Sequence, residues 1–234
     1  MNTFIILCGG FGTRFQKVSK HLPKILAEIK SDVCMLDWLI NEYLPPKSIV
    51  ILATGYLHHK ISEHLSNKTY KSDVVVVKET SKLGTGGAII NASRFVKTEE
   101  FVALNGDTIQ ELSICQFLKS SKLEDGSIIN IGCTTQNKSD SGKITLDKSN
   151  FIKSFEEKPT DSFQDKNIQY VSSLGIYRCN TKYFRNMPIS LVSLEEELLP
   201  ELIKNKKAKA SIFNSNYEDY GTYLRYKKLV SKNF

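Results

Sequence analysis

Long hydrophobic runs are absent: near the N-terminus the longest is Phe4 to Cys8, far short of a signal-peptide core or the ~20 apolar residues of a membrane helix. Neither export nor a membrane partner is expected, and the reading is a cytoplasmic protein. Cysteine is sparse, at positions 8, 34, 115, 133 and 179, an odd number without a C-x-x-C pair. That speaks against a disulfide scaffold or a thiolate zinc site. Each thiol lies in or beside an apolar segment and is expected to be reduced and buried. Only four histidines occur. His58, His59 and His64 share one amphipathic helical stretch without H-E-x-x-H spacing, and His21 sits in a loop, so all four are expected at the surface. With 13 Gly and 6 Pro, collagen-like and low-complexity chains are excluded too.

What remains is an ordinary globular composition, 41% hydrophobic and 24% charged over 234 residues, long enough to bury a full core without metal or disulfide support. The formal net charge of +7 could serve nucleic acid, an anionic membrane or a small polyanion. The basic residues are scattered. Their densest stretches, Lys204 to Lys209 and Arg225 to Lys232, carry apolar residues at helix or strand spacing and read as solvated faces. No zinc-finger, helix-turn-helix or RNP-like spacing occurs, so no nucleic acid partner is expected.

Over the first half, apolar strand candidates at Thr3–Cys8, Ser48–Ala53, Asp73–Val77 and Phe101–Leu104 alternate with helical patterns at Val33–Leu44, Tyr56–Ser66 and Gly87–Val96. The alternation predicts βαβ units and a parallel sheet covered on both faces. Shorter strands follow at Ser127–Thr134, Lys143–Leu146, Phe151–Phe155 and Tyr170–Cys179, with turns near Ser139–Gly142 and Thr160–Asn167. These read as antiparallel or mixed additions to the same sheet. Ser193 and Glu196 have capping-box spacing before a helix that Pro200 should kink or split, and a strand Ala208–Phe213 and a helix Thr222–Ser231 come last.

The first strand runs into Cys8-Gly9-Gly10-Phe11-Gly12-Thr13-Arg14. Glycines after a buried strand let backbone N–H groups close on an anion, and Arg14 offers a guanidinium fork for phosphate oxygens. Position 15 is Phe rather than the third glycine of a dinucleotide fingerprint, and no Gly-Lys-Ser/Thr follows, so neither familiar phosphate loop fits. Taken alone, the segment could be a tight strand-to-helix turn. Further along come Pro23-Lys24, Gly84-Thr85-Gly86-Gly87-Ala88, Leu104-Asn105-Gly106-Asp107, Glu156-Glu157-Lys158-Pro159 and Asp219-Tyr220-Gly221-Thr222. In this order, and across nearly the whole chain, the set resembles the sugar-1-phosphate nucleotidyltransferases, also called nucleotide-sugar pyrophosphorylases.

The resemblance implies an α/β protein with the Rossmann-like three-layer α/β/α nucleotidyltransferase fold and a mixed central sheet. It implies one domain over residues 1–234, with 1–125 as the nucleotide-binding half and 126–234 as the sugar-phosphate-binding half. Leu7, Cys8, Gly9, Gly10, Gly12, Thr13 and Arg14, with Gly84 and Thr85, would hold a nucleoside triphosphate. Lys24 and Arg14 would neutralise charge as pyrophosphate leaves, and Asp107 and Asp219 would bind Mg²⁺. The alternative for an Asp at a strand end is a helix N-cap. Glu157 would accept sugar hydroxyls, Lys158 would pair with the attacking phosphate, and Gly142, Ser173 and Gly175 would line the sugar pocket. Ser141 stands where the family often has a bulky residue, which leaves the sugar 1-phosphate partner open; a homodimer is left open too.

The implied chemistry is substitution at the α-phosphorus by a phosphate oxygen of the sugar 1-phosphate. A phosphate monoester has a second pKa of about 6, so no general base is needed, and positioning with charge neutralisation suffices. Glu79, ending the third strand, stands where the resemblance places the residue facing the base. A carboxylate accepts guanine N1–H and N2–H together, whereas uracil presents one N–H flanked by carbonyls. GTP is therefore favoured, a solvated strand-end glutamate being the alternative. Leu7-Cys8-Gly9-Gly10, Leu83-Gly84-Thr85-Gly86-Gly87-Ala88-Ile89, Leu104-Asn105-Gly106-Asp107-Thr108 and Ser154-Phe155-Glu156-Glu157-Lys158 are most similar to the short D-glycero-α-D-manno-heptose 1-phosphate guanylyltransferases. No appended β-helix or acyltransferase domain is expected after Asp219. Three rivals are a uridylyl- or cytidylyltransferase, a glycosyltransferase of similar fold, which would need the D-x-D motif this chain lacks, and a silent regulatory homologue. The last would have lost Arg14, Lys24 or Asp107, and all three are present.

Overall fold

The computed structural model describes residues 1–10, 21–124, 126–136, 142–157 and 170–231. Strand β1 (Thr3–Leu7) lies inside the sheet. Phe4 and Ile6 enter one apolar core and Ile5 the other, on the two faces of the same strand. A strand buried on both faces must be apolar at consecutive positions, which is why its sequence does not alternate.

A short hairpin follows, β2 (Glu28–Lys30) and β3 (Val33–Cys34), turned by Asp32 at φ 58°. Then come α1 (Met35–Trp38), a widened turn Leu39–Tyr43, β4 (Ile49–Thr54), α2 (His58–Ser66), β5 (Asp73–Lys78), α3 (Gly84–Ser93) and β6 (Glu100–Asn105). β1 pairs in parallel with β4 and β6, and β4 with β5, with Ile5 opposite Ile51 and Ala103. The four carboxyl ends therefore share one edge, where α/β folds bind ligands.

The second half comprises β7 (Thr108–Gln110), α4 (Ile114–Ser120), β8 (Ile129–Thr134), β9 (Lys143–Leu146), β10 (Ile152–Glu156), β11 (Val171–Asn180) and α5 (Thr181–Asn186). After a second widened turn, Leu194–Leu198, come α6 (Leu199–Lys204), β12 (Ala208–Phe213), β13 (Tyr217–Asp219) and α7 (Tyr223–Val230). β11 runs antiparallel to β6, β8 and β9, whereas β12 joins β8 in parallel, so the nine-stranded sheet is mixed. With a helix-bearing core on each face, this is a three-layer α/β/α fold.

Two connections shape the ligand edge. Between Ser173 and Tyr177 the register of β11 slips, and Gly175 sits there at φ 69°, where a Cβ would come within 2.6 Å of Asn105 Nδ2. Only glycine passes there without strain. Beyond β6, β7 and β13 form a separate antiparallel ribbon that puts Asp219 opposite Thr108. Tyr220, fully buried, donates its hydroxyl to the carbonyls of Lys24 and Gly106, and its N–H meets Asp107 O at 3.2 Å.

Several expectations are corrected. The helix expected over Val33–Leu44 begins only at Met35, because Val33 and Cys34 are taken by the hairpin, and it ends in a wide turn closed by Leu44 N to Leu39 O, 2.9 Å. The helix expected from Tyr56 starts at His58, after Leu57 in the left-handed region, and the one expected from Gly87 starts at Gly84. Cys115 is exposed, not buried, on α4. His64 is not a free surface group: its Nε2 lies 2.9 Å from Asp37 Oδ1, and His58 Nδ1 lies 2.9 Å from Thr54 Oγ1. Pro200 does split its helix, falling in the first turn of α6 after the widened turn capped by Ser193. No helix among the described residues is long and apolar enough to cross a membrane.

Candidate active site

A cavity of about 910 Å³ opens over the carboxyl ends of the parallel strands, within the range of small-molecule sites. Its walls come from both halves of the chain. Leu7, Cys8, Gly9 and Gly10 supply one side, and the backbone leads straight from β1 into it. Cys8 N donates to Ala53 O and its Sγ to Ile6 O, 3.2 Å. Burial, and then the Glu79 carboxylate, push the Cys8 thiol far up, so it is a wall and no nucleophile.

Glu79 follows β5 and leans over the glycines. A Cβ on Gly9 would lie 2.7 Å from Glu79 Oε1, and one on Gly55 would lie 2.9 Å from Gly9 O. Two glycines thus keep space for this carboxylate at the strand ends. Burial raises its pKa, against a smaller lowering by the Leu83 N–H. Gly84 and Thr85, opening α3, also line the cavity. The Thr85 hydroxyl is committed to other protein groups: it donates to Glu195 Oε2 at 2.6 Å and accepts from Leu194 N at 2.9 Å.

Asp107, just past β6, and Asp219, ending β13, both line the cavity and are brought together by the β7–β13 ribbon. Lys24 donates to Asp107 Oδ2. Arg225 Nη1 lies 2.7 and 2.8 Å from the two oxygens of Asp219, whose Oδ1 also accepts from Gly221 N. A Cβ on Gly221 would sit 3.0 Å from Asp219 Oδ1 and 3.7 Å from Lys24 Nζ, so the lysine and both carboxylates form one cluster. Two oxygen-donor carboxylates already holding nitrogen cations fit a hard divalent ion.

On the other side, Gly142, Glu157, Ser173 and Gly175 line the same cavity. Phe155 closes on Gly142, whose Cβ would meet its ring at 2.7 Å. Ser173 Oγ accepts from Gly175 N at 3.2 Å, inside the β11 irregularity. Gly12, Thr13, Arg14 and Lys158 lie outside the described residues. Sequence reasoning missed Tyr177, Glu195 and Arg225, all on the cavity wall. Arg225 belongs to a basic stretch whose spacing predicts a solvated face, yet it lines the cavity and pairs with Asp219.

The Nucleotidyl transferase family model matches residues 3–232. The D-glycero-alpha-D-manno-heptose 1-phosphate guanylyltransferase of Campylobacter jejuni is 34% identical over 220 residues, covering 93% of each chain. A mannose-1-phosphate guanylyltransferase catalytic subunit beta from Drosophila melanogaster is 26% identical, over 93% of this chain and 58% of that one. Among solved structures, HddC from Yersinia pseudotuberculosis superposes with a TM-score of 0.81 at 28% identity over 99% of both chains. Its complex with GMP-PN gives 0.78 at the same identity and coverage.

Proposed function

The chain belongs to the Nucleotidyl transferase family, and from that premise we propose that it is a guanylyltransferase joining GTP to a sugar 1-phosphate, with D-glycero-α-D-manno-heptose 1-phosphate as the acceptor. The products are a GDP-sugar and pyrophosphate. The observation that carries the reading is one cavity walled by Glu79, the Lys24–Asp107–Asp219 cluster and the Glu157–Ser173–Gly175 side together. The named relative from Campylobacter jejuni and the GMP-PN complex of HddC support guanine and heptose as the specific partners.

In this reading a phosphate oxygen of the sugar 1-phosphate attacks the α-phosphorus. One P–O bond forms, the α–β bridging P–O bond breaks, and pyrophosphate leaves in line. The attacking oxygen is already ionised, so the residues bind and neutralise rather than move protons. Glu79 accepts the guanine N1–H and N2–H. Gly9 and Gly10, with Gly12, Thr13 and Arg14, hold the triphosphate. Lys24 and Arg14 meet the charge that grows on the leaving group. Lys158 pairs with the sugar phosphate and Glu157 accepts its hydroxyls. Asp107 and Asp219 would hold Mg²⁺, which supplies charge neutralisation at the phosphates when bound. Residues 1–125 act as the nucleotide half and 126–234 as the acceptor half. Cytoplasmic residence and a homodimer complete the proposal. The five free cysteines fit a reducing compartment, and light scattering reads the assembly state.

The test is pyrophosphate release with four nucleoside triphosphates against a panel of sugar 1-phosphates. GTP with the heptose 1-phosphate should give the highest kcat/KM. A preference for UTP or CTP would leave only a nucleotidyltransferase of other specificity.

A further inference from the structure

The widened turn after Ser193 carries three consecutive glutamates, Glu195, Glu196 and Glu197. Glu196 also lines the cavity, but it is exposed, as is Glu197, whereas Glu195 is half-buried. It turns into the cavity wall, where Thr85 Oγ1 donates to Oε2 at 2.6 Å, Ser193 Oγ reaches the same oxygen at 3.4 Å, and the buried Tyr177 hydroxyl reaches Oε1 at only 3.3 Å. These three side-chain donors are neutral hydroxyls, and the backbone N–H of Glu195 itself donates to the carboxylate as well. Among the described residues no Lys or Arg forms an ion pair with it. Burial raises its pKa, the Thr85 hydrogen bond opposes this, and the nearby charge of Glu157 adds to the rise.

A carboxylate placed there is costly unless its acceptor sites are filled, and two oxygens offer about four such sites. Among the described residues the only side chain that donates to Oε1 is Tyr177, and at 3.3 Å that bond is long. Glu157 lines the same cavity. Resting on the guanylyltransferase reading, we propose that Glu195 is a second acceptor for the hydroxyls of the sugar ring, and that with Glu157 it makes this end of the cavity select a neutral polyol over an acceptor bearing another anionic group. Hydroxyl donors satisfy such a carboxylate. A second anion, such as a uronate, would meet like charge in a partly desolvated wall, and that repulsion is a strong means of rejection.

The alternative is a strut that ties α3 to the turn through Thr85. Steady-state kinetics with GTP separate the two, using D-glycero-α-D-manno-heptose 1-phosphate and mannuronic acid 1-phosphate as acceptors. Glu195→Gln keeps the size and should raise KM for the heptose 1-phosphate about tenfold or more, leave KM for GTP within about twofold, and narrow the preference over the uronate about tenfold. Thr85→Val removes the strut but keeps the carboxylate, so the preference should persist whatever happens to the KM for GTP. The inference is overturned if Glu195→Gln leaves acceptor KM and preference unchanged. It is equally overturned if Glu195→Gln does not fold and Thr85→Val abolishes the preference. If wild-type protein turns over neither acceptor with GTP, the functional reading fails and takes this inference with it.

Discussion

The ammonium of Lys24 is bonded to Oδ2 of Asp107, across 83 positions of sequence. Together with Arg225 on Asp219, this gives each carboxylate proposed for the divalent ion a cation at its oxygens. A divalent ion held by these two carboxylates would depend on both of their negative charges. Asp107→Asn removes one charge and should lower kcat roughly a hundredfold or more, the scale of losing one aligned electrostatic group. Thermal unfolding should stay near wild type. Near-normal turnover with a native circular dichroism spectrum would refute the assignment.

Lys158 and Arg14 are assigned to opposite partners. Lys158→Ala should raise KM for the sugar 1-phosphate far more than KM for GTP. Arg14→Ala should mainly lower kcat, since its charge is most useful as negative charge grows on the leaving pyrophosphate. Initial-rate matrices over both substrates read the split, and equal effects of both variants on both substrates would contradict it.

Asp37 lies away from the cavity and is predicted to act on stability alone. It accepts from the Tyr70 hydroxyl at 2.6 Å and from His64 at 2.9 Å, with Lys68 at 3.3 Å. Burial works to raise its pKa, and the hydrogen bonds from Tyr70 and His64 outweigh it, leaving the carboxyl below its ordinary 3.8. A carboxyl depressed in the folded state stabilises above its unfolded pKa, and that contribution is lost as pH falls through the folded value. Asp37→Ala should cost about 2–3 kcal/mol at neutral pH, and its denaturation midpoint should fall less steeply below pH 4 than that of wild type. Urea titrations across that range give both quantities.

The buried strands were legible to within a residue or two because a strand covered on both faces must be apolar throughout, as in Thr3–Leu7 and Glu100–Asn105. The β7–β13 ribbon was not. Each strand has three residues, Gln110, Glu218 and Asp219 break any apolar period, and the partners are far apart in the chain. His64 was misplaced although a signal existed: it stands three residues after Ile61 and beside Leu65, on the stripe that α2 turns inward. Glu195 was hidden within an acidic run at a helix start, where charge is ordinary. Only the third dimension separates the half-buried glutamate bonded into the cavity wall from the two exposed ones, of which Glu196 stands at the cavity rim.

The sharpest prediction concerns Glu79 and the glycine beneath it. If the carboxylate pairs with guanine N1–H and N2–H, Glu79→Gln swaps an acceptor for a donor and should lose roughly tenfold to a hundredfold in kcat/KM for GTP while sparing UTP. Because burial raises its folded pKa above the ordinary 4.5, stability falls as pH rises from 4.5 through the folded value. The Gln variant should therefore unfold at a higher temperature than wild type at pH 7 despite its weaker activity. The same shift means that wild-type KM for GTP should climb on acidification sooner than an ordinary carboxylate allows, and that limb should vanish in the variant. Gly9→Ala supplies an independent check. Its new Cβ would stand 2.7 Å from Glu79 Oε1, so the flexible carboxylate must move while the strand stays, and the GTP-to-UTP ratio should drop as in Glu79→Gln. If neither variant changes that ratio, Glu79 does not read the base.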